Sequence, residues 1–396
     1  MAWKATLIVN QREEFVHLAR VPGANVSQLC ERFEISRTTG HKWLARFAAE
    51  GHDGLRDRSR RPKRSPGQTA SEVEQRVAEL RREHPAWGGR KLRKRLSVLE
   101  TVAADQLPSA STITEILRRH QLLDAAESCK HQPFTRFERP WPNDLWQMDF
   151  KGHIAVTRGG RCHPLTVLDD HSRFVVALRA CENEQSVTVQ AALTDVFRRY
   201  GLPHQMLSDN GSPWGDSGLS SFTRLGVWLL RQGIALTHGR PYHPQTQGKD
   251  ERFHRTLKAE LLCRMSAVDV AACQPHFDRF RDEYNHERPH EALNLETPIS
   301  RYQVSPRVFS EVLPPIEYGS DLEVRKVSQK GWLSYHSRQF NVGQAFEGLS
   351  VGLRPTPGAP DGWIEVRFCQ HRIGDLNLTD PHHDRLIRHR EPLSTS

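Results

Sequence analysis

Three carboxylates of the 396-residue chain invite a chemical reading. Asp149 closes the short apolar run LWQMDF, where an acidic side chain adds nothing to a core. Asp209 also follows an apolar run, in LSDNG, and Glu251 lies near the start of GKDERFHRTLKAELL. Taken singly, each has an ordinary explanation. Asp-Asn-Gly is a common turn. An acidic residue in the first turn of a helix is favoured by the helix dipole, and Glu251 and Arg255 have the spacing of an i,i+4 pair. Taken together they form a set of hard oxygen donors, the kind that Mg²⁺ accepts while keeping several of its waters. They lie 60 and 42 residues apart, so only a tertiary fold could bring them to one place.

The elements that would position them can be read from apolar spacing. Phe253, Leu257 and Leu261 recur every four residues, which predicts a helix. At about 100° per residue this stripe lies opposite Glu251, while Arg255 and Lys258 fall on the same side as Glu251. Short β-like runs cover residues 145–152, 163–180 and 204–211, and residues 187–199 have helical spacing. Strands alternating with helices predict an α/β core over 140–302, with antiparallel pairing of the early strands, which no crossover helix separates. Beyond Tyr302, short alternating runs bounded by Gly and Pro predict a small β-barrel over 318–378, followed by a loose tail at 379–396.

The first 140 residues carry the whole of the +9 formal charge, and the remainder is balanced. A basic third on a neutral chain is the electrostatic footprint of a polyanion partner, most often nucleic acid. Residues 1–56 fit a helix-turn-helix, with Ser27 and Ser36 as N-caps of its second and third helices and Gly51 ending the third. The early positions of that third helix, Arg37, Thr38, Thr39, His41 and Lys42, suit contacts to base edges or phosphates. The linker at 57–70 follows Arg56 and includes Arg58, Arg60 and Arg61, a run too basic to pack and suited to phosphates. A second helix-turn-helix is expected over 71–125, with Arg90, Lys91, Arg93, Lys94 and Arg95 as its basic stretch. No run is long and apolar enough for a bilayer, and Met1–Asn10 lacks the grading of a signal peptide, which predicts a cytoplasmic bacterial protein working at the nucleoid. Seven scattered cysteines, none in a CxxC pair, argue against a disulfide framework and a zinc knuckle and favour reduced thiols.

The strings WQMDFKG, VLDDHSRFVV, LSDNGSPW, HGRPYHPQTQGKDERFHRTLKAELL and YNHERPHEALNLETP resemble the motif series of the retroviral-integrase-type DDE transposases. Within these, the chain is most similar to bacterial insertion sequences of the IS481 family, from about Gln28 to Leu376. The resemblance implies a ribonuclease-H-like core in which Asp149, Asp209 and Glu251 bind Mg²⁺, with Mn²⁺ as a substitute. Glu260, nine residues beyond Glu251 and facing the other way, is the weaker candidate. Also implied are cleavage and joining of DNA strands by a two-metal mechanism, binding of element ends and target duplex, and assembly of several copies on DNA. Arg255 and Lys258 would grip the DNA backbone beside the metals. His171, His243 and His254 are read as structural. The competing readings are a DNA-binding regulator with an inert core, against which the intact carboxylate set speaks, and a ribonuclease H, which leaves the basic front unexplained.

Overall fold

Residues 8–58, 69–123, 138–209, 211, 213–214, 222–238 and 248–388 are described by the computed structural model. They belong to two units, Met1–Gln68 and Thr69–Ser396. In the first, α1 (Ile8–Ala19), α2 (Val26–Arg32) and α3 (Arg37–Glu50) surround Phe15, Val16, Cys30, Trp43 and Leu55. Ser36 caps α3 by accepting from the Thr39 N–H, and Gly51 ends it at φ 61°. The cap of α2 is Asn25 instead of Ser27: its carboxamide oxygen accepts from the N–H groups of Ser27 and Gln28. Asn and Ser cap equally well, so the entry of the chain into the helix decides between neighbours. Close packing of α3 depends on Gly40, where a Cβ would sit 2.5 Å from the Cys30 sulfur and 2.9 Å from the Phe15 ring.

The second unit begins with α4 (Ser71–Glu83), α5 (Gly89–Val98) and α6 (Ala110–Arg119), closed over Val77, Leu80, Trp87, Leu92, Leu96, Ile113 and Ile116. There follow β1 (Leu145–Phe150), β2 (Ile154–Ala155), β3 (Arg161–Asp169), β4 (Val175–Cys181), α7 (Ser186–Tyr200), β5 (Gln205–Ser208), α8 (Arg224–Arg231), β6 (Ala235–His238), α9 (Gly248–Leu257) and α10 (Val270–His286). The sheet runs β4-β3-β1-β5-β6, with β2 paired to the start of β3. The early strands β1, β3 and β4 are antiparallel, as the missing crossover predicts, and β5 and β6 are added parallel to β1 after α7 and α8.

The sheet is buried on both faces. One face carries Trp146, Met148, Val167 and Val176 against Val189, Leu193 and Phe197 of α7 and Leu225 and Leu229 of α8. The other carries Leu168, Val175 and Leu178 against Phe253 and Leu257 of α9 and Cys273, Phe277, Phe280 and Tyr284 of α10. Covering both sides of a sheet removes its apolar surface from water and leaves the ends of its strands as the accessible places for polar side chains.

The C-terminal expectation needs correction. The wholly exposed strand β7 (Glu323–Lys326) lies at the edge of one core shared by β8 (Trp332–Tyr335), β9 (Arg338–Asn341), β10 (Ser350–Pro355), β11 (Trp363–Phe368) and β12 (His371–Asn377). They do not close into a barrel: β12-β11-β10-β7 is an open antiparallel sheet and β8-β9 a separate hairpin. After β7 the chain turns through Lys330, at φ 64°, and folds the hairpin back. The chain beyond β12 then returns to the hairpin and sheet: Asn341 bridges to Arg385 and Asp375 to Ile387, Arg338 donates to the carbonyls of Leu378, Asp380 and His383, and Leu386 enters the core, so the first part of the expected loose tail is packed. Alternation of apolar residues specifies which face is buried and says nothing about edge pairing. No described helix is long and apolar enough to cross a membrane.

Candidate active site

Strand order brings two of the three carboxylates together. β1 and β5 pair in parallel up to Gln147 opposite Leu207, so Asp149 and Asp209, each two residues further on, end neighbouring strands. Burial, followed by the charge of Asp209, raises the Asp149 carboxyl to about 6. Asp209 also makes the turn its motif suggests, its Oδ1 accepting from the Gly211 N–H at 3.0 Å. The turn and the pairing with Asp149 therefore coexist in one side chain.

Glu251 and its neighbours divide across α9. Phe253 and Leu257 are buried, whereas Glu251, Arg255 and Lys258 are exposed, as the helical spacing predicts. No salt bridge joins Glu251 to Arg255 among the described residues, so the simple i,i+4 explanation for the carboxylate is not realised. Sequence spacing did not single out Asp250, which is 1% exposed. Its Oδ1 lies 3.2 Å from the Thr166 hydroxyl, while its Oδ2 has no hydrogen-bond partner. Burial, then the charge of Asp149, pushes the Asp250 carboxyl well above the ordinary range. His254 completes the cluster, with Nδ1 3.9 Å from Asp149 Oδ2 and Nε2 3.8 Å from Asp250 Oδ1. Burial lowers its imidazole to about 3, which keeps the ring neutral. Ligand-type atoms of Asp149, Asp250 and His254 all lie within 4.8 Å of one another.

Other motif residues hold these elements in place. Asp169 accepts from the backbone N–H groups of Asn143 and Ser172, and Asp170, wholly buried, pairs with Lys249 Nζ at 2.5 Å. Lys249 opens α9 immediately before Asp250, so the second Asp of VLDD anchors the helix that carries Glu251. Asn285 returns from α10 to Val175, accepting from its N–H and donating to its carbonyl. Lys249→Met should cost on the order of 3 kcal/mol, because it removes the counter-charge of a buried carboxylate whose other partners, the Arg139 N–H and the Gln147 carboxamide, are neutral. Urea unfolding of the full chain is the check, and a loss under ~1 kcal/mol would mean that the pair is not an anchor.

Glu260 takes no part in the carboxylate pair. It forms a doubly hydrogen-bonded ion pair with Arg288, both side chains 8% exposed, and accepts from Trp87 Nε1. Of the other histidines, His171 bonds the Arg139 carbonyl through Nδ1, a structural role. His243 lies outside the described residues.

The DNA-contact candidates separate into several groups. Arg37, Thr38, His41 and Lys42 are exposed on α3, while half-buried Thr39 bonds the hydroxyl of the Ser36 cap. Arg56 lies 3.5 Å from Asp53, Arg58 pairs with Glu50, and Arg60 and Arg61 fall outside the described residues. Arg90 is exposed. Lys91 is half-buried, and burial, then the charge of Arg288, lowers its amine to about 8. Lys94 and Arg95 pair with Glu296 and Glu287. Much of the basic face of α5 therefore docks this helical domain on the core, where carboxylates from α10 and the segment after it are the nearest anions.

The fold and the strand-end carboxylates define an integrase-type core, and comparison with known proteins agrees. Integrase core domain models match residues 139–244 and 232–298, and helix-turn-helix and homeodomain-like models match 11–63 and 39–117. The model of the IS481 family transposase C-terminal domain matches 322–384. Helix-turn-helix, integrase-core and IS481 transposase C-terminal segments thus follow one another along the chain. It is 27% identical over 157 residues to an uncharacterized 31.7 kDa protein of insertion element IS407 from Burkholderia multivorans, covering 40% of this chain and 54% of that protein. It is 32% identical over 120 residues to the Gag-Pol polyprotein of avian reticuloendotheliosis virus, covering 30% of this chain and 10% of the polyprotein. The match thus spans about half of the first relative and a tenth of the second. Among solved structures it is similar to the HTLV-2 integrase catalytic core domain in complex with magnesium, at 15% identity and TM-score 0.33, over 41% of this chain and 99% of that one.

Proposed function

We propose that the protein is a transposase. Its helix-turn-helix units bind the terminal inverted repeats of an insertion sequence, and its core cleaves a strand at each end and joins the freed 3′-OH to target DNA. The observation that carries this reading is the meeting of Asp149 and Asp209 at the ends of adjacent strands, where burial and then the charge of Asp209 raise the Asp149 carboxyl. Two carboxylates placed to repel each other gain from a shared cation. The donor set is all oxygen and suits Mg²⁺, with Mn²⁺ as a substitute. In this reading Asp149, Asp209 and Glu251 hold the metal. Bound there, a pair of divalent ions would activate the attacking oxygen and offset charge on the leaving one. The protein's own part is to place the carboxylates and to hold the phosphodiester with the exposed cations Arg255 and Lys258. Several copies would assemble on the two element ends, in the cytoplasm at the nucleoid.

An assay with duplexes copied from the DNA flanking the gene tests the proposal. Strand cleavage followed by joining to a target plasmid is expected in Mg²⁺ or Mn²⁺, and neither in EDTA. Binding of the ends with no cleavage or joining in either ion would favour a regulator with an inert core.

A further inference from the structure

Asp149 and Glu251 come from different layers, a strand and the helix packed across it. Their separation depends on how firmly α9 is held on the sheet, and a side chain that bonds both the Asp149 backbone and residues of α9 is that of Thr166. It lies directly opposite Asp149 in the β3-β1 ladder and is 0% exposed. Its Oγ1 is 2.9 Å from the Asp149 carbonyl oxygen, 3.2 Å from Asp250 Oδ1 and 2.9 Å from His254 Nε2. A threonine hydroxyl has one hydrogen and two lone pairs. The hydrogen can be donated to the Asp149 carbonyl or to Asp250 Oδ1, and a lone pair can accept from the Nε2–H of His254. One buried hydroxyl thus lies within hydrogen-bond distance of the strand backbone and of two side chains of the helix, and Nδ1 of His254 lies 3.9 Å from the Asp149 carboxylate.

We propose that Thr166 is a positioning residue: its buried hydroxyl ties the backbone of Asp149 to Asp250 and His254, and so sets the helix that carries Glu251 at a fixed distance from the strand that carries Asp149. The inference rests on the metal-dependent reading of the site given above. It assigns Asp250 and His254 to the tie and leaves cation binding to Asp149, Asp209 and Glu251. Apolar packing by Phe253 and Leu257 alone would hold α9 on the sheet without fixing its rotation, because such contacts are non-directional. A hydroxyl shared by three polar groups from two elements is directional, and metal ligands require placement within a fraction of an ångström.

The test uses the full chain with Thr166→Val, which keeps shape and removes the hydroxyl, and Thr166→Ser, which restores it. Mn²⁺ binding is read by electron paramagnetic resonance, thermal unfolding is followed in parallel, and joining of a pre-cleaved end duplex is measured against Mn²⁺ concentration. Valine is expected to weaken Mn²⁺ binding about tenfold and to raise the half-saturating Mn²⁺ for joining by the same factor, with serine within about twofold of wild type. Equal Mn²⁺ affinity in wild type and Thr166→Val, even with a lowered Tm, overturns the proposal and leaves the transposase reading standing. The expected Mn²⁺ pattern in a wild-type chain that joins no ends supports the proposal and sinks the transposase reading. Loss of Mn²⁺ binding in Asp250→Asn as complete as in Glu251→Gln would make Asp250 a ligand and overturn the tie. Should the valine variant not fold, Thr166→Cys, of similar size and a weaker donor, is read by the same criterion.

Discussion

Asp209→Asn should abolish strand cleavage and strand joining alike, by on the order of a thousandfold or more, while leaving binding of end DNA unchanged or slightly tighter. The magnitude is that of losing several kcal/mol of charge stabilisation at a metal centre. In the proposed mechanism one site serves both steps, so both are expected to fall together. The variant separates the two roles of this side chain, because an asparagine oxygen can still accept from the Gly211 N–H and keep the turn. Removal of a negative charge near the scissile phosphate accounts for any gain in DNA affinity. The measurement compares uncleaved and pre-cleaved end duplexes, with a gel shift on the same preparations. Near-normal joining by the variant would reduce Asp209 to a turn residue.

Affinity for duplex DNA should fall by roughly 10³ to 10⁵ between 50 and 200 mM salt, the behaviour of a protein that neutralises about 6 to 10 phosphates. The +9 excess confined to the first 140 residues is the source of this expectation, but the cations are not equivalent. Arg37 and Lys42 are exposed on α3, whereas Lys94 and Arg95 already face Glu296 and Glu287. Replacing Arg37 and Lys42 together by alanine should therefore lower the salt slope by about 2, and replacing Lys94 and Arg95 should change it little. The reverse order would mean that DNA displaces α5 from the core. Equal affinity for end and random duplexes would remove the base-reading role of Arg37, Thr38, Thr39, His41 and Lys42 and leave the charge argument intact.

Local features were legible in the sequence to the extent that they depend on neighbours in the chain. The Ser36 cap, the Gly51 stop, the antiparallel start of the core sheet and the outward side of Glu251 all follow from residues within a turn or a hairpin of one another. The N-cap of α2 was misplaced by two residues, from Asn25 to Ser27, because both residue types cap well and the difference lies in backbone dihedrals. The basic run of α5 suggests a DNA face in the sequence, where its charges are visible and the partners of Lys94 and Arg95, some 200 residues away, are not.

Sequence alone determined the chemistry available to this protein: the acidic residues that could hold a hard cation, the basic N-terminal third, and the motif strings that mark the integrase-type family. Tertiary structure decided how those groups are used. It placed Asp149 beside Asp209 through a parallel pairing of strands, buried Asp250 one residue from exposed Glu251, and made Thr166 the meeting point of strand and helix. It also left the C-terminal sheet open where alternation suggested closure. The reason is common to all of these. Residue type and period report which side of an element faces the core, whereas partners across a layer are set by packing between segments that chain order does not relate.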